Sequence, residues 1–328
     1  MTVEGTAPHG LLQRIAGRLR RVLSARAAGE AQLREMVGLF GEGATPPEVL
    51  LFGDSVHERT SRDDSDLRPI GRMVADSLEG QATVAWICHS AYHAGVYLAL
   101  SRVLEALSCR PRQVVVPINL RSFSPQWDKD PALACGDHVA TYSRWLAARR
   151  RAAGPFQGAD VGPTRGEFLR SPVVYPGGVA RTVADMEMIV RAQPTGREGR
   201  EQRWRDLFVY FQMQPIEPTH RKLQLLAEGG SLLASLGVQP LLYILPVNHE
   251  AGARWVGPGF GTAVRRNAGV VVDRLRQLAL PGMRLEDWSL SLDIGNFFSD
   301  HDPTEHLNER GRAHVAKEIA RVTLEQRR

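Results

Sequence analysis

The residues that could act together in acyl chemistry lie far apart in this sequence. Ser55 follows the apolar run Val49–Phe52 and the pair Gly53 and Asp54, whereas His306 lies in a polar segment near the C-terminal end. A serine hydroxyl becomes a nucleophile only beside a base, and histidine is the most common base. The pair therefore predicts nucleophilic attack on a carbonyl carbon, provided that the fold brings the two residues together.

The Gly53–Ser55 segment also has a simpler interpretation. Glycine, aspartate and serine all favour turns, so the segment could merely end a strand. A parallel strand ending here would place Ser55 in the crevice where open α/β sheets bind ligands. Gly53 would let the chain turn there without a Cβ penalty. The segment alone favours neither interpretation.

Apolar runs alternate with amphipathic segments over most of the chain. Strands are predicted at 49–52, 82–88, 113–118, 240–245 and 285–292. Helices are predicted at 70–78, 95–107, 221–236, 262–278 and 309–324. This alternation is typical of a parallel sheet covered by helices on both faces. We predict a flavodoxin-like, three-layer α/β/α fold with a parallel sheet of about five strands.

Polar residues follow several of these strands. The carboxyl ends of parallel strands share one edge of the sheet, so these residues should meet there. The side-chain amide of Asn119, after the third strand, could donate a hydrogen bond to an oxyanion or could merely end its strand. Four further polar residues at this edge are candidates for substrate binding: Asp54, His89, Arg121 and Asn248.

The regular alternation stops between residues 125 and 219. This stretch is rich in proline, glycine and tryptophan, with helices predicted at about 135–153, 182–190 and 201–213. We predict a helical cap inserted into a domain that spans 46–328, where it could select the substrate. Residues 1–45 form a separate amphipathic helical segment, which could lie on an anionic membrane but more often packs on its own domain or on a partner.

Composition excludes several classes of protein. The chain has 328 residues and a formal net charge of +5 without a basic stripe interleaved with aromatic residues, so we do not expect nucleic acid as a partner. Cys88, Cys109 and Cys135 form no regular framework and are expected to be reduced thiols. A membrane span and a secretory signal are not expected, so the predicted location is cytoplasmic.

No metal or organic cofactor is predicted. The aspartates 63, 64 and 66 lack the glycine and distal glutamate of a calcium loop. His89 and His93 are spaced for zinc but lack the glutamate of the HExxH motif. The glycine-rich run at 257–261 does not open a helix directly after a strand, which disfavours a dinucleotide site.

Three segments together resemble the SGNH/GDSL hydrolase superfamily. They are Gly53-Asp54-Ser55-Val56, Asn119, and Asp302 followed by His306-Leu307-Asn308-Glu309-x-Gly311. Their order, spacing and placement after strands agree with that family over about residues 48–325, although 125–219 matches nothing in it. The sequence around Asn119 and His306 is most similar to that of the branch related to the D-alanyl transfer protein DltD.

The resemblance implies a role for each of these residues. Ser55 would be the nucleophile and His306 the base, and the oxyanion would bind the backbone N–H of Ser55 and the amide of Asn119. The family has an oxyanion glycine after its second strand, which is late or missing here. The backbone N–H of Ser90 or of Ala91 could replace it.

The acid that orients the histidine departs from the family pattern. It normally stands three residues before the histidine, a position that Pro303 occupies here. Asp302, Asp300 and Glu305 remain, and we favour Asp302. Asp302 could instead cap the last helix, with Pro303 at the first helical position.

The expected function is serine-dependent hydrolysis of a small-molecule acyl ester or thioester through an acyl-serine intermediate. One alternative is a cytoplasmic acyltransferase that moves an acyl group from a thioester or an acyl carrier protein to an alcohol or amine. Another is a non-catalytic ligand-binding protein on the same fold. The sequence does not indicate the oligomeric state.

Overall fold

The computed structural model describes residues 27–124, 127, 135–150, 173–175, 178–180, 196–299, 301 and 303–327. Five of the described strands form one parallel sheet, and two form a short antiparallel pair. The strands are β1 Val49–Gly53, β2 Val84–Cys88, β3 Gln113–Ile118, β4 Val173–Tyr175, β5 Gly178–Ala180, β6 Gln239–Ile244 and β7 Arg284–Asp287.

Ten α-helices occur among the described residues. They are α1 at 27–40, α2 Ser55–Glu58, α3 Ile70–Ser77, α4 Ala94–Glu105, α5 Gly136–Arg150, α6 Gly196–Phe208, α7 Arg221–Ser235, α8 His249–Val256, α9 Gly259–Arg276 and α10 Glu309–Arg327. Three shorter elements are the 3-10 turns Leu120–Phe123 and Ile294–Asn296 and the π-helix Val209–Met213.

The sheet divides the hydrophobic core in two, because successive side chains of a strand point to opposite faces. In β1, Leu50 and Phe52 belong to one cluster, and Val49 and Leu51 belong to the other. The first cluster contains residues of α1, α4, α7 and α9, and the second contains residues of α3 and α10. The strand order β2-β1-β3-β6-β7 is that of flavodoxin-like sheets. The predicted three-layer α/β/α fold with five parallel strands is therefore confirmed.

The strands of the sheet end close to one another. Gly53 at the end of β1 lies beside Cys88 at the end of β2, and Ile118 of β3 lies beside Ile244 of β6. Because all these pairings are parallel, the segments that follow the strands leave the sheet at a single edge. Ser55 lies in the first of these segments.

Some predicted element boundaries are wrong. The last strand was predicted at 285–292 but ends at Asp287, whose carboxylate accepts a hydrogen bond from the backbone N–H of Ser289 and so closes a turn. Trp288 and Leu292 are still buried, because the loop itself packs on the core. Helix α8 was missed, since it is short and begins within what reads as a polar turn. The helix predicted at 182–190 lies outside the described residues.

The N-terminal segment is described only from residue 27 onward. There, α1 places Leu33, Met36 and Phe40 in the first hydrophobic cluster. This part of the segment therefore packs on the chain's own domain. Within the described ranges, no helix combines the length and the apolar character needed to cross a bilayer.

A buried arginine joins the segments that carry Ser55 and His306. The side chain of Arg312, in α10, is fully buried and its Nη1 lies 2.6 Å from Oδ2 of Asp64. The same Nη1 donates to the backbone oxygen of Leu307 at 2.9 Å, and Nε donates to that of Arg68 at 3.1 Å. The loop that follows the Ser55 turn is thus fixed to the residue next to His306.

Contacts in the opposite direction complete this clamp. Oε2 of Glu309 accepts hydrogen bonds from the backbone N–H groups of Ser65 and Asp66, both at 2.7 Å. Oδ1 of Asp64 accepts from the backbone N–H of Glu309 at 3.1 Å. Asp64 is therefore a partner of α10 through both its carboxylate oxygens. Within the part of the chain that the structure describes, no group of three or more histidine, cysteine, aspartate and glutamate side chains is arranged to hold a metal.

The clamp predicts a large loss of stability when Arg312 is replaced by methionine. Removing one partner of a buried ion pair leaves an uncompensated charge, which costs about 3–5 kcal/mol. Arg321→Met on the same helix is the matched control, because Arg321 is exposed and its ion pairs with Glu318 and Glu325 contribute less than about 1 kcal/mol in total. Urea denaturation measures both variants. Equal losses for the two variants would show that the clamp does not stabilise the fold.

Candidate active site

Ser55 and His306 meet at the carboxyl edge of the sheet. Ser55 is the first residue of α2, directly after β1, and its Oγ lies 3.1 Å from Nε2 of His306. Both residues are buried. This distance is within the range for a serine nucleophile and its base. Although 251 positions separate them in sequence, the fold brings the two residues into hydrogen-bond contact.

Asp54 fixes the turn that presents Ser55. Its carboxylate caps α2 by accepting a hydrogen bond from the backbone N–H of Val56 at 2.9 Å, and Nδ1 of His57 lies 3.2 Å from both the backbone nitrogen and Oδ1 of Asp54. The other ring nitrogen of His57 is hydrogen-bonded to the hydroxyl of Tyr243 in β6. The turn is therefore tied to the middle of the sheet. Asp54 itself is completely buried, and substrate binding by this residue stays a prediction.

The charge of Asp54 is stabilised where it lies. Burial opposes ionisation of the carboxyl, but the hydrogen bonds from His57, Asn119 and the backbone N–H of Val56 outweigh it, and the pKa of Asp54 is lowered. An ionised carboxylate is the better cap for a helix N-terminus. The ionised carboxylate of Asp54 thus stabilises the turn that carries Ser55.

Gly53 is required for space. A Cβ at this position would lie 2.4 Å from Sγ of Cys88 and 2.7 Å from Cβ of His57, both closer than packed atoms can approach. Gly53 is also the last residue of β1. The glycine therefore lets the Ser55 turn pack against the end of β2, whereas the sequence suggested only that it would ease a turn.

The turn after β2 contains the predicted second oxyanion donor. Ala91 has a φ of 69°, the left-handed conformation that glycine adopts most readily. Burial raises the pKa of the nearby Glu58 carboxyl. Ser90 as a donor to the oxyanion stays a prediction. His89 is half-buried, and its ring lies 4.6 Å from the ring of His138.

The amide of Asn119 lies between two carboxylates. Its Nδ2 donates to Oδ2 of Asp54 at 3.0 Å and to Oε2 of Glu305 at 3.4 Å, and its Oδ1 accepts from the backbone N–H of Arg121. An amide NH2 group has two hydrogens, so both are directed at carboxylates. The contact with Glu305 is long and weak. An oxyanion could bind Asn119 only by taking this second hydrogen.

Glu305 is a buried carboxylate next to His306 in sequence. Its Oε2 lies 2.9 Å from Nε of Arg121, and its Oε1 accepts a hydrogen bond from Nε2 of Gln212 in the π-helix. Burial raises the pKa of Glu305, and the charge of Arg121 opposes the rise. Both oxygens are thus occupied by groups other than His306. Glu305 stays an alternative to Asp302 as the acid that orients the histidine.

Arg121 is buried beside Glu305. Its guanidinium carbon lies 5.3 Å from the ring centre of Trp127 and 5.5 Å from that of Phe211. Although Nε is close to Glu305, its N–H is not aligned for a hydrogen bond, so the contact is an ion pair stacked between two rings. A contact of Arg121 with substrate stays a prediction.

Asn248 caps α8, and substrate binding by this residue stays a prediction. Its Oδ1 accepts from the backbone N–H of Ala251 at 3.3 Å, and its Nδ2 donates to the backbone oxygen of Ser299 at 3.0 Å. It therefore joins the end of β6 to the chain that leads toward His306. Asp302, the predicted orienting acid, and Asp300 lie outside the described residues.

Several residues that hold the site were missed by sequence analysis. His57 could have been found, because a side chain three residues after an N-cap aspartate is in the position of a capping box. Tyr243 lies in a strand of mostly apolar residues, so its sequence gives no sign of a hydrogen bond to His57. Gln212 and Arg312 belong to no recognisable motif. Their roles depend on contacts between segments that are distant in sequence.

Comparisons with known proteins give structural likenesses but no match in sequence. No family model matches the chain, and no curated protein matches it. Twelve chains of solved structures match. One is an active site mutant of a family two carbohydrate esterase from Clostridium thermocellum, in complex with celluohexase. The match has 10% identity and a TM-score of 0.33, and covers 84% of this chain and 62% of the esterase chain.

The contacts of Gly53 predict that Gly53→Ala destabilises the protein. The new methyl group must displace Cys88 or His57, and overpacking of a filled core costs about 1–3 kcal/mol. Gly269→Ala is the matched control, because a Cβ there would meet nothing within 4 Å in helix α9. We expect it to raise the free energy of unfolding by about 0.5–1 kcal/mol. Similar thermal denaturation curves for the two variants would contradict this account of Gly53.

The position of Asn119 predicts a pH-dependent defect in Asn119→Asp. A third carboxylate between Asp54 and Glu305 would leave a buried charge unpaired, at a cost of about 3–5 kcal/mol at pH 8. Like charges raise the pKa of a carboxyl in the folded state, so the native protein gains stability relative to wild type as the pH falls through that raised pKa. Urea denaturation between pH 8 and 5.5 measures this recovery.

Asn119→Ala is the control for this experiment. It removes the same hydrogen bonds without adding a charge, so it should lose about 1–3 kcal/mol with no recovery over the same pH range. If both variants respond to pH in the same way, Asn119 does not lie between two ionised carboxylates.

Proposed function

We propose that this chain is a serine-dependent hydrolase of an acyl ester or thioester that acts through an acyl-Ser55 intermediate. The observation that carries the proposal is the 3.1 Å contact between Oγ of Ser55 and Nε2 of His306. A serine beside a neutral imidazole can lose its proton as it attacks a carbonyl carbon. The resemblance of the Ser55, Asn119 and His306 segments to SGNH/GDSL hydrolases supports the same chemistry.

The reaction has two stages. Oγ of Ser55 attacks the carbonyl carbon while Nε2 of His306 takes the hydroxyl proton, which gives a tetrahedral oxyanion. Collapse of this species breaks the bond to the leaving oxygen or sulfur, and His306 returns the proton to that atom. Water then attacks the acyl-serine with His306 again as base, and releases the acid and free Ser55.

The oxyanion requires hydrogen-bond donors at the same edge of the sheet. In this proposal the backbone N–H of Ser55 supplies one donor, and the amide of Asn119 supplies another by exchanging its 3.4 Å contact with Glu305 for the substrate oxygen. The exchange costs little, because the contact it breaks is already long. Asp302 remains the proposed orienting acid of His306.

The proposal can be tested by labelling with a fluorophosphonate, which reacts only with activated serines. Wild-type protein should be labelled at Ser55, as shown by peptide mass mapping. Ser55→Ala and His306→Gln should not be labelled, and their turnover of a p-nitrophenyl ester should fall about 10⁴–10⁶-fold. Ser235→Ala, which removes an exposed hydroxyl from the end of α7, is the control and should react as wild type does.

Two results would contradict the proposal. A Ser55→Ala protein that keeps more than about a tenth of wild-type turnover would show that Ser55 is not the nucleophile. A folded wild-type protein that neither labels nor turns over any ester or thioester would favour the ligand-binding alternative.

A further inference from the structure

Gln212 joins the predicted cap to the residue before His306. Its side chain is buried, and Nε2 donates to Oε1 of Glu305. Gln212 lies in the π-helix that directly continues α6, the last helix of the predicted cap. π-Helical turns are rare and frequently occur at functional sites. This contact is therefore a direct physical connection between the cap and the Ser55 site.

The π-helix is held firmly enough to serve as a support. Asn267 of α9 is buried and its Nδ2 donates to the backbone oxygens of Gln212 and Gln214, both at 2.9 Å. Its Oδ1 accepts from the backbone N–H of Ile216 at 3.2 Å. One asparagine of the main domain thus fixes the backbone at Gln212 and on its C-terminal side. The side chain of Gln212 then has a defined direction toward Glu305.

Glu305 connects Gln212 to both Ser55 and His306. It is covalently next to His306, so its position constrains the base directly. Its Oε2 also contacts Nδ2 of Asn119, which donates to Asp54, the cap of the turn that carries Ser55. A continuous chain of hydrogen bonds therefore runs from Gln212 through Glu305, Asn119 and Asp54 to the backbone N–H of Val56, the residue that follows Ser55.

We propose that Glu305 and Gln212 are positioning residues of the serine site, through which packing of the π-helix sets the Ser55–His306 distance and the direction of the Asn119 amide. This inference rests on the proposed function. In the proposed reaction, neither Glu305 nor Gln212 touches the substrate carbonyl or the reacting atoms of Ser55 and His306. A displacement of about 1 Å at a reacting group can cost ~10²-fold in rate, so small changes at these two positions should be visible in the kinetics.

The test measures the rate constant of fluorophosphonate labelling, and kcat and KM for an ester, at a temperature where every variant is folded. Gln212→Met and Glu305→Gln should lower the labelling rate and kcat by ~10–10²-fold with KM changed less than about twofold. Gln202→Met is the matched control. Gln202 lies on α6 and is exposed, and its hydrogen bond goes to Asp206 within the same helix, so its rates should be those of wild type.

A double variant separates a positioning role from simple loss of stability. If Gln212 acts through Glu305, the Gln212→Met/Glu305→Gln protein should label no more slowly than Glu305→Gln alone. If Glu305→Gln does not fold, Gln212→Met and Gln212→Ala decide the question by their rates. Variants with a lower melting temperature but wild-type labelling rates would overturn the inference.

The outcomes distinguish this inference from the proposed function. If the wild-type protein is labelled at Ser55 while the Gln212 and Glu305 variants react at its rate, only the positioning role fails. If the folded wild-type protein is not labelled at Ser55, the proposed function fails and the positioning role fails with it.

Discussion

A carboxylate removed from water destabilises a protein by several kcal/mol unless donors surround it, and three such carboxylates determine how this site is built. Asp54, Glu305 and Asp64 each have almost no exposed side-chain surface. The groups that compensate them come from other segments: Asn119 for Asp54, the ion-paired Arg121 and the donor Gln212 for Glu305, and Arg312 for Asp64. Each carboxylate thus connects parts of the chain that the sheet alone would leave independent.

These connections explain how two loops can hold a 3.1 Å contact between Ser55 and His306. A parallel sheet places strand ends at a common edge but leaves the following loops free to move. Here the Ser55 turn is fixed to β6 through His57 and Tyr243, and its following loop is fixed to α10 through Arg312. The segment with His306 is bounded by this clamp on one side and by Glu305 on the other.

The sequence was sufficient for features that depend on local pattern. Strand β3 was predicted at the residues where it occurs, because a run such as Val114–Val116 between polar ends is typical of a buried strand. The meeting of Ser55 and His306 followed from the parallel topology. The last strand was overestimated because Trp288 and Leu292 are as apolar as a strand residue and are buried in a loop instead.

The electrostatic partners could not be predicted, for a physical reason. Asp64 and Arg312 are separated by 248 positions, and Gln212 and Glu305 by 93. Hydrophobic periodicity reports which face of an element is buried, but it contains no information on which donor meets which acceptor. The partner of Asp64 could therefore not be read from the sequence, and in the structure it is the guanidinium of Arg312.

The two carboxylates that share Asn119 respond to acid in opposite ways. The pKa of Glu305 is raised by burial, so ionisation is disfavoured in the fold and protonation of this group does not destabilise it. The pKa of Asp54 is lowered, so its contribution to stability is present above the unfolded pKa of ~3.9 and is lost only as the pH falls through the folded pKa. As the pH falls, Glu305 gains a proton first and its contact with Asn119 weakens, while the cap on the Ser55 turn persists. The weaker, longer bond of Asn119 is thus the first to yield, and it is the bond that an oxyanion must replace.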